Sequence, residues 1–217
     1  MASYDISKSL SWQGTITEKV ASVCRMFGLT IERLKEQRLT HSCRLEINPG
    51  DIVYITGPSG AGKSVLLREL EKAIPEQEKI NLAQINLPNN RTVIDCIDAG
   101  LLTSLQLLGT AGLNDCFCIL NQPSNLSEGE QYRFRLAIAL AEGKKFVLAD
   151  EFTSALDRVT ASSISYHLRQ FSDKTGTTFI LASSHEDMLL DLAPDVLVRK
   201  DLSGSTNVIY RDTGRIK

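Results

Sequence analysis

The sequence predicts an α/β fold in which a mostly parallel central sheet is flanked by helices. Three short apolar runs, at residues 52–55, 146–149 and 179–182, have the continuous apolar character of strands that are covered on both faces. Stretches with helical patterning separate these runs, and strands that alternate with helices favour a parallel sheet. The length of 217 residues is suited to one domain with a sizeable core.

A glycine-rich loop follows the first of these strands. Residues 57–64 match the pattern G-x-x-x-x-G-K-[S/T] in full, and residues 65–70 have a helical pattern. In this strand–loop–helix context, backbone N–H groups and the helix start can bind phosphate oxygens. Lys63 can reach the β- and γ-phosphates, and the Ser64 hydroxyl is placed to ligate Mg²⁺. The predicted phosphate-binding residues are Gly57, Pro58, Ser59, Gly60, Ala61, Gly62, Lys63, Ser64 and Val65.

Two acidic residues follow the strand at residues 146–149. The carboxyl ends of parallel strands face the ligand crevice, so Asp150 and Glu151 are expected beside the phosphate loop. Asp150 is predicted to hold Mg²⁺, and Glu151 to polarise an attacking water. The alternative, a strand that ends in solvated acids, would be favoured if no phosphate loop lay upstream. Together the two motifs predict a P-loop NTPase.

The overall composition argues against several classes of protein. The net charge of −2 and pI near 6.0 give no electrostatic footprint for nucleic-acid binding. The five cysteines lack the spacing of a disulfide framework, and we expect reduced thiols. We see no leader and no apolar run of the roughly 20 residues that a membrane span needs. These features predict a cytoplasmic protein.

The rest of the chain is divided by its hydrophobic patterning. We expect an N-terminal extension at residues 1–40 and an ATPase domain at 41–217. The extension is expected to be loosely held over 1–16 and to form one or two amphipathic helices, or a helix and a short strand, within 17–37. Within that domain we expect a helical subdomain at about 92–141, with helices at 92–108 and 127–141. Further strands are predicted at residues 79–87 and 207–211.

Residues 126–131, Leu-Ser-Glu-Gly-Glu-Gln, resemble the signature motif of ATP-binding cassette (ABC) ATPases, usually Leu-Ser-Gly-Gly-Gln. Ser127 and Gly129 are retained, whereas Glu128 and Glu130 depart from the motif. A serine and an exposed glycine backbone at a helix start can form a second anion site. Ser127 with Glu130 also fits a capping box, and both interpretations can hold together.

Three further positions extend the resemblance. Residues 154–157 match the D-loop of the family, with Asp157 at its end, and His185 matches the switch histidine that contacts the γ-phosphate. Gln84 is the best candidate for the glutamine that contacts Mg²⁺ and the attacking water, with Asn86 as a substitute. The resemblance covers about residues 47–202. It implies that ATP and Mg²⁺ are bound and that the fold is α/β with a short helical subdomain.

The resemblance also implies a head-to-tail homodimer around two ATP molecules. Ser127 and Gly129 of one copy would complete the site that holds Lys63, Asp150 and Glu151 of the other. The sequence departs from transporter cassettes because only 21 positions separate Lys63 from Gln84, which leaves no room for the usual hairpin. This compactness resembles stand-alone ABC-type ATPases, some of which are fused to a predicted acetyltransferase domain. No clear match exists for the adenine-stacking aromatic; Phe27 is the nearest candidate.

Four functions compete at this point. The first is an ATPase that drives an unidentified partner protein or domain. The second is the energising subunit of a membrane transporter, coupled through residues 92–108. The third is an SMC-like DNA-maintenance ATPase, which the short interval between Lys63 and Ser127 disfavours because it cannot hold a long coiled coil. The fourth is a nucleotide-gated switch, against which Glu151 and His185 argue.

Overall fold

The computed structural model describes residues 2–211. Its strands and helices, in chain order, are β1 (Ala2–Ser11), α1 (Glu18–Met26), α2 (Ile31–Glu36), β2 (Arg38–Ile47), β3 (Ile52–Thr56), α3 (Lys63–Ala73), β4 (Lys79–Asn81), α4 (Leu101–Thr110), α5 (Cys116–Ile119), α6 (Glu128–Ala141), β5 (Phe146–Ala149), α7 (Arg158–Thr175), β6 (Thr178–Ala182), α8 (Leu189–Leu192), β7 (Val196–Lys200) and β8 (Thr206–Tyr210).

The central sheet has six strands in the order β4-β5-β6-β3-β7-β8. All neighbouring pairs are parallel except β7 and β8, which form an antiparallel edge. Strands β3 and β6 are buried at every position, as their apolar sequences predict. The predicted α/β fold with a mostly parallel sheet is confirmed, and so is the predicted final strand, which runs antiparallel.

The start of the chain differs from the prediction. Residues 2–11, expected to be loosely held, form strand β1 and pair along their whole length with β2 in a separate two-stranded sheet. Ile6 of β1 is buried together with Leu45 of β2 and with Leu66 and Leu70 of α3. Ile6 is the one buried residue of β1, so the mostly polar sequence gives little sign of this pairing. The division of the chain near residue 40 stays a prediction, although β2 crosses that position.

Two other segments are shorter than predicted. The strand expected over residues 79–87 ends at Asn81, because the Asn81 side chain accepts a hydrogen bond from Ala83 N–H and starts a 3₁₀ turn, Leu82–Gln84. The helix expected over residues 92–108 is a 3₁₀ turn, Ile94–Cys96, followed by α4 from Leu101. Gly100 has an extended backbone there, which separates the two pieces.

Helices α4 and α6 pack on the opposite side of the sheet from α3. Leu108 of α4 and Phe134 of α6 are fully buried in one cluster with Tyr54, Phe152 and Phe179. This packing holds the start of α6 beside the loop that follows β5. The fold therefore brings the phosphate loop, the two acids and the signature motif to the same end of the sheet.

Candidate active site

Two glycines of the phosphate loop stand where no side chain would fit. Gly57 has φ +142°, and a Cβ there would lie 2.1 Å from the Lys200 carbonyl oxygen of β7. Gly62 has φ +87°, and a Cβ there would lie 2.3 Å from the buried His41 ring. The loop thus passes between β7 and β2 before α3 begins at Lys63. The start of α3 thus has the backbone N–H groups and the helix dipole with which an anion could be bound.

One cavity of about 420 Å³ brings most of the predicted chemistry together. It is lined by Ser59, Gly60, Gly62, Lys63, Ser64, Val65, Asp150, Glu151, Ser154, Ala182, Ser183, Ser184 and His185. The phosphate loop, the loop after β5 and the loop after β6 meet there because β3, β5 and β6 are parallel neighbours. Such a crevice at the carboxyl ends of strands is the usual ligand site of an open α/β sheet.

The Lys63 ammonium is held by three acceptors within the cavity. Its Nζ donates to the Gly57 carbonyl at 2.7 Å, to the Pro58 carbonyl at 3.0 Å and to Ser184 Oγ at 2.9 Å. Burial lowers the pKa of Lys63, whereas the charges of Asp150 and Glu151 oppose that shift. The two carboxylates therefore act on the ammonium from across the cavity. The contact of Lys63 with Ser184 could not be predicted from the sequence, since Ser184 belongs to no recognised motif.

The loop that carries Glu151 has an unusual backbone. Glu151 and Thr153 have φ of +50° and +63°, a conformation that is strained for a β-branched residue such as Thr153. Contacts on both sides maintain it: Phe152 N–H donates to the Ala182 carbonyl at 2.8 Å, and Thr153 N–H donates to the Tyr132 hydroxyl at 3.3 Å. The turn exposes Glu151 while Phe152 is fully buried. The Tyr132 side chain of α6 thus supports the loop that carries Glu151.

The signature motif forms the start of α6 outside this cavity. Ser127 caps the helix, and its N–H and Oγ donate to Glu130 Oε2 at 2.8 and 2.7 Å in a capping box. These bonds, with one from the Cys118 thiol, lower the pKa of Glu130 to about 2. A Cβ on Gly129 would lie 3.1 Å from the Ala155 carbonyl, so the glycine lets the helix start approach the D-loop.

Several predicted residues lie outside the cavity lining. Asp157 caps α7 by accepting from the N–H groups of Val159 and Thr160. Gln84 donates to Glu71 Oε1 at 2.9 Å, so its role as a Mg²⁺ ligand stays a prediction that would require its side chain to leave α3. Phe27 follows α1 and is 75% exposed.

Comparison with known proteins identifies the family. A family model described as an AAA domain matches residues 47–187, which is more than half of the chain. The chain belongs to the AAA domain family. Among curated relatives, the methionine import ATP-binding protein MetN of Mannheimia succiniciproducens is 29% identical over 216 residues, covering 83% of this chain and 61% of that protein. MetN 1 of Oenococcus oeni is 30% identical over 200 residues, covering 76% and 57%.

Solved structures share the same fold. The dimeric ATP-binding cassette MJ0796, bound to ADP and Pi, matches with a TM-score of 0.64 and 21% identity over 81% of this chain and 92% of that one. A bacterial Atm1-family ABC exporter with ATP bound matches with a TM-score of 0.60 and 20% identity over 78% and 35%. These matches confirm the predicted resemblance to ABC ATPases, and they show that this AAA domain has the fold of such cassettes. It spans about three fifths of the length of the curated relatives it matches.

The oxygen donors of this AAA domain suit Mg²⁺. Within residues 2–211, no three His, Cys, Asp or Glu side chains are grouped so that they could hold a metal ion alone. Ser64 and Asp150 nevertheless line the same cavity, and Mg²⁺ commonly takes one or two protein oxygens together with substrate phosphates and water. The residues present therefore fit a magnesium ion that arrives with a nucleotide. No helix between Ala2 and Arg211 has both the length and the apolar character of a membrane span.

Proposed function

We propose that this chain hydrolyses ATP with Mg²⁺ in a head-to-tail pair of copies and that the cycle drives a partner protein or domain. The observation that carries this proposal is the single cavity lined by Lys63, Ser64, Asp150, Glu151 and His185. These are the groups that positioning and electrostatic catalysis of phosphoryl transfer require. A binding switch would need neither Glu151 nor His185.

Each side chain has a distinct role in this proposal. Lys63 binds the β- and γ-phosphates and exchanges its carbonyl acceptors for phosphate oxygens. Ser64 and Asp150 would hold Mg²⁺, which when bound neutralises charge between the phosphates. Glu151 orients the attacking water and accepts its proton, and His185 donates a hydrogen bond to the γ-phosphate.

The position of the signature motif supports a paired arrangement. Ser127 is exposed at the start of a 14-residue helix, and neither it nor Gly129 lines the cavity of its own chain. A second copy related by a two-fold axis would bring this helix start to the open side of the cavity. Because ATP would then bind at the interface, its hydrolysis would loosen the pair.

The variant Glu151→Gln tests the hydrolysis directly. We expect it to bind ATP as the parent does, to lose ATP turnover by about 100-fold or more, and to accumulate as a dimer with ATP. ATPase assays and light scattering with and without ATP measure the two effects. Glu142→Gln is the matched control because Glu142 is an exposed carboxylate at the other end of α6. Turnover of Glu151→Gln at the parent rate would exclude the proposed base.

A membrane transporter is the second candidate partner. Two curated relatives are named methionine import proteins. Leu101 and Leu102 at the start of α4 are 66% and 75% exposed, which suits a docking surface in the region predicted for coupling. Cross-linking of the ATP-bound Glu151→Gln variant in cells distinguishes the candidates. An integral membrane protein linked through α4, and lost in Leu102→Ser, would support transport; a non-membrane partner or domain would support the first candidate.

A further inference from the structure

A buried phenol lies directly beneath the switch histidine. Tyr54 is on β3, is fully buried, and donates its hydroxyl proton to the His185 carbonyl oxygen at 2.5 Å. The other residues of β3 are Ile52, Val53, Ile55 and Thr56, so Tyr54 brings a phenolic hydroxyl into a buried, mostly apolar strand. A buried hydroxyl without a partner is costly, which makes this hydrogen bond a strong constraint on the position of His185.

The segment that carries His185 lies at the surface between the buried residues Ser183 and Met188. Strand β6 ends at Ala182, Ser183 N–H donates to the Ile55 carbonyl at 3.0 Å, and residues 184–187 are exposed. His185 N–H donates to Ser183 Oγ at 3.2 Å. Ser183 is itself buried, and its hydroxyl also interacts with the Tyr54 phenol. Tyr54 and Ser183 therefore hold the main chain of His185 at its carbonyl and its N–H.

We propose that Tyr54 is a positioning residue that sets the place of the His185 imidazole relative to bound nucleotide. This inference rests on the proposed function, because it assigns the role to a hydrogen bond from His185 to the γ-phosphate. Tyr54 lies three residues before Gly57, so the strand that delivers the phosphate loop also anchors the histidine. The strand register supports this link between the phosphate loop and the histidine, since Tyr54 of β3 pairs with Leu181 of β6.

Tyr54→Phe removes the hydroxyl and keeps the ring that fills the core. We expect kcat for ATP hydrolysis to fall about tenfold or more, with KM for ATP changed by less than about twofold, because misplacement of a catalytic group affects the transition state more than binding. In a His185→Ala background, Tyr54→Phe should cause no further loss. Tyr210→Phe is the control: its hydroxyl accepts from Glu46 N–H, away from the cavity, and its kcat should equal that of the parent.

A second variant makes the test independent of the stability of Tyr54→Phe. Ser183→Ala removes the hydroxyl that contacts both the Tyr54 phenol and His185 N–H, and its loss of kcat should likewise disappear in the His185→Ala background. A loss that persists there for either variant, or an unchanged kcat in Tyr54→Phe, would contradict the positioning role. Absence of ATP turnover in the parent would instead overturn the proposed function itself.

A spectroscopic readout separates positioning from activity. The chain has three histidines, so the imidazole resonances can be assigned one by one. In the parent, the His185 signals should shift when a non-hydrolysable ATP analogue and Mg²⁺ are added. In Tyr54→Phe this shift should be reduced while His41 and His167 behave as in the parent. An identical His185 shift in both proteins would overturn the inference.

Discussion

The Lys63 side chain is held by hydrogen bonds to neutral oxygen atoms around the phosphate loop. Two carbonyls of its own loop and the Ser184 hydroxyl accept its hydrogen bonds. The negative charges of Asp150 and Glu151 favour its ammonium form. A triphosphate would replace neutral acceptors of the ammonium with anionic oxygens, which adds a direct attraction between opposite charges. If Lys63 binds the β- and γ-phosphates as proposed, this exchange of partners would contribute to the binding energy of ATP.

Lys63→Ala should weaken ATP binding itself. We expect a loss of about 100-fold in affinity, since a charged hydrogen bond to phosphate contributes about 1.5–3 kcal/mol and each 1.4 kcal/mol is tenfold. Titration with a fluorescent ATP analogue measures the dissociation constant. Lys174→Ala, at an exposed position near the end of α7, serves as the control. Equal affinities for the parent and Lys63→Ala would refute the phosphate-loop assignment.

At this scale, local patterns predict some groups and miss others. Lys63, Ser64, Asp150 and Glu151 belong to contiguous motifs whose chemistry can be recognised without the fold, and the cavity brings them together. Tyr54 and Ser184 act through contacts that span more than 120 positions of sequence, so no local pattern marks them. Gln84 donates a hydrogen bond to Glu71 in the structure, and its predicted role at Mg²⁺ stays a prediction.

Helix α6 is the element in which stability and function meet most closely. Its capping box uses the serine that is predicted to contact a γ-phosphate, and Glu130 fixes that serine through two hydrogen bonds. Ionised Glu130 also places a negative charge in the first turn of α6, which stabilises the start of the helix. Nucleotide binding by Ser127 would therefore compete with the cap for the same hydroxyl, while the Ser127 N–H bond to Glu130 could persist.

The pH dependence of this cap is testable with Glu130→Gln. Hydrogen bonds from the Cys118 thiol and from Ser127 lower the pKa of Glu130 to about 2 in the folded state, below the unfolded value near 4.3. Its stabilisation is thus fully present above the unfolded pKa and is lost as pH falls through the folded one. Glu130→Gln should lower the free energy of unfolding by about 1 kcal/mol at pH 7 after allowance for solvent screening.

Urea unfolding at several pH values measures this effect. The difference between parent and Glu130→Gln should shrink steadily from pH 5 towards pH 3. Glu128→Gln, at an exposed first-turn position outside the capping box, should show a smaller difference over the same range. A gap between parent and Glu130→Gln that stays constant down to pH 3 would rule out a lowered pKa for Glu130.

Elements with strong local signals were predictable, and elements made by distant pairing were not. Helix α6 has a serine cap and a long apolar pattern, and β5 and β6 are short apolar runs, so each agrees with its sequence. Strand β1 depends on pairing with β2 about 27 to 45 positions away, as in Ser11 with Arg38 and Ala2 with Ile47. Tyr4, Ile6 and Leu10 alternate with polar residues, which fits a strand, but no local pattern identifies β2 as its partner.

At the scale of the whole molecule, the proposed pairing would make each copy incomplete alone, because the signature motif lies outside the cavity of its own chain. Lys63, Asp150 and Glu151 line the cavity, whereas Ser127 and Gly129 stand outside it. The proposal of a head-to-tail pair joins the two surfaces and places each ATP between different chains. It follows that damage to one surface should affect the site of the other copy.

Ser127→Arg tests this arrangement in mixed dimers. An arginine at the helix start would fill the space near the γ-phosphate of the opposing site, so Ser127→Arg alone should retain ATP binding as a monomer and lose turnover. When Ser127→Arg is mixed with Lys63→Ala, the heterodimer has one intact site. That site combines Lys63 of the Ser127→Arg copy with Ser127 of the Lys63→Ala copy. That site should restore activity, approaching half of the parent rate per heterodimer if the two sites act independently. ATPase assays across mixing ratios measure the recovery, and mixtures that remain inactive while heterodimers form would contradict sites shared in this way.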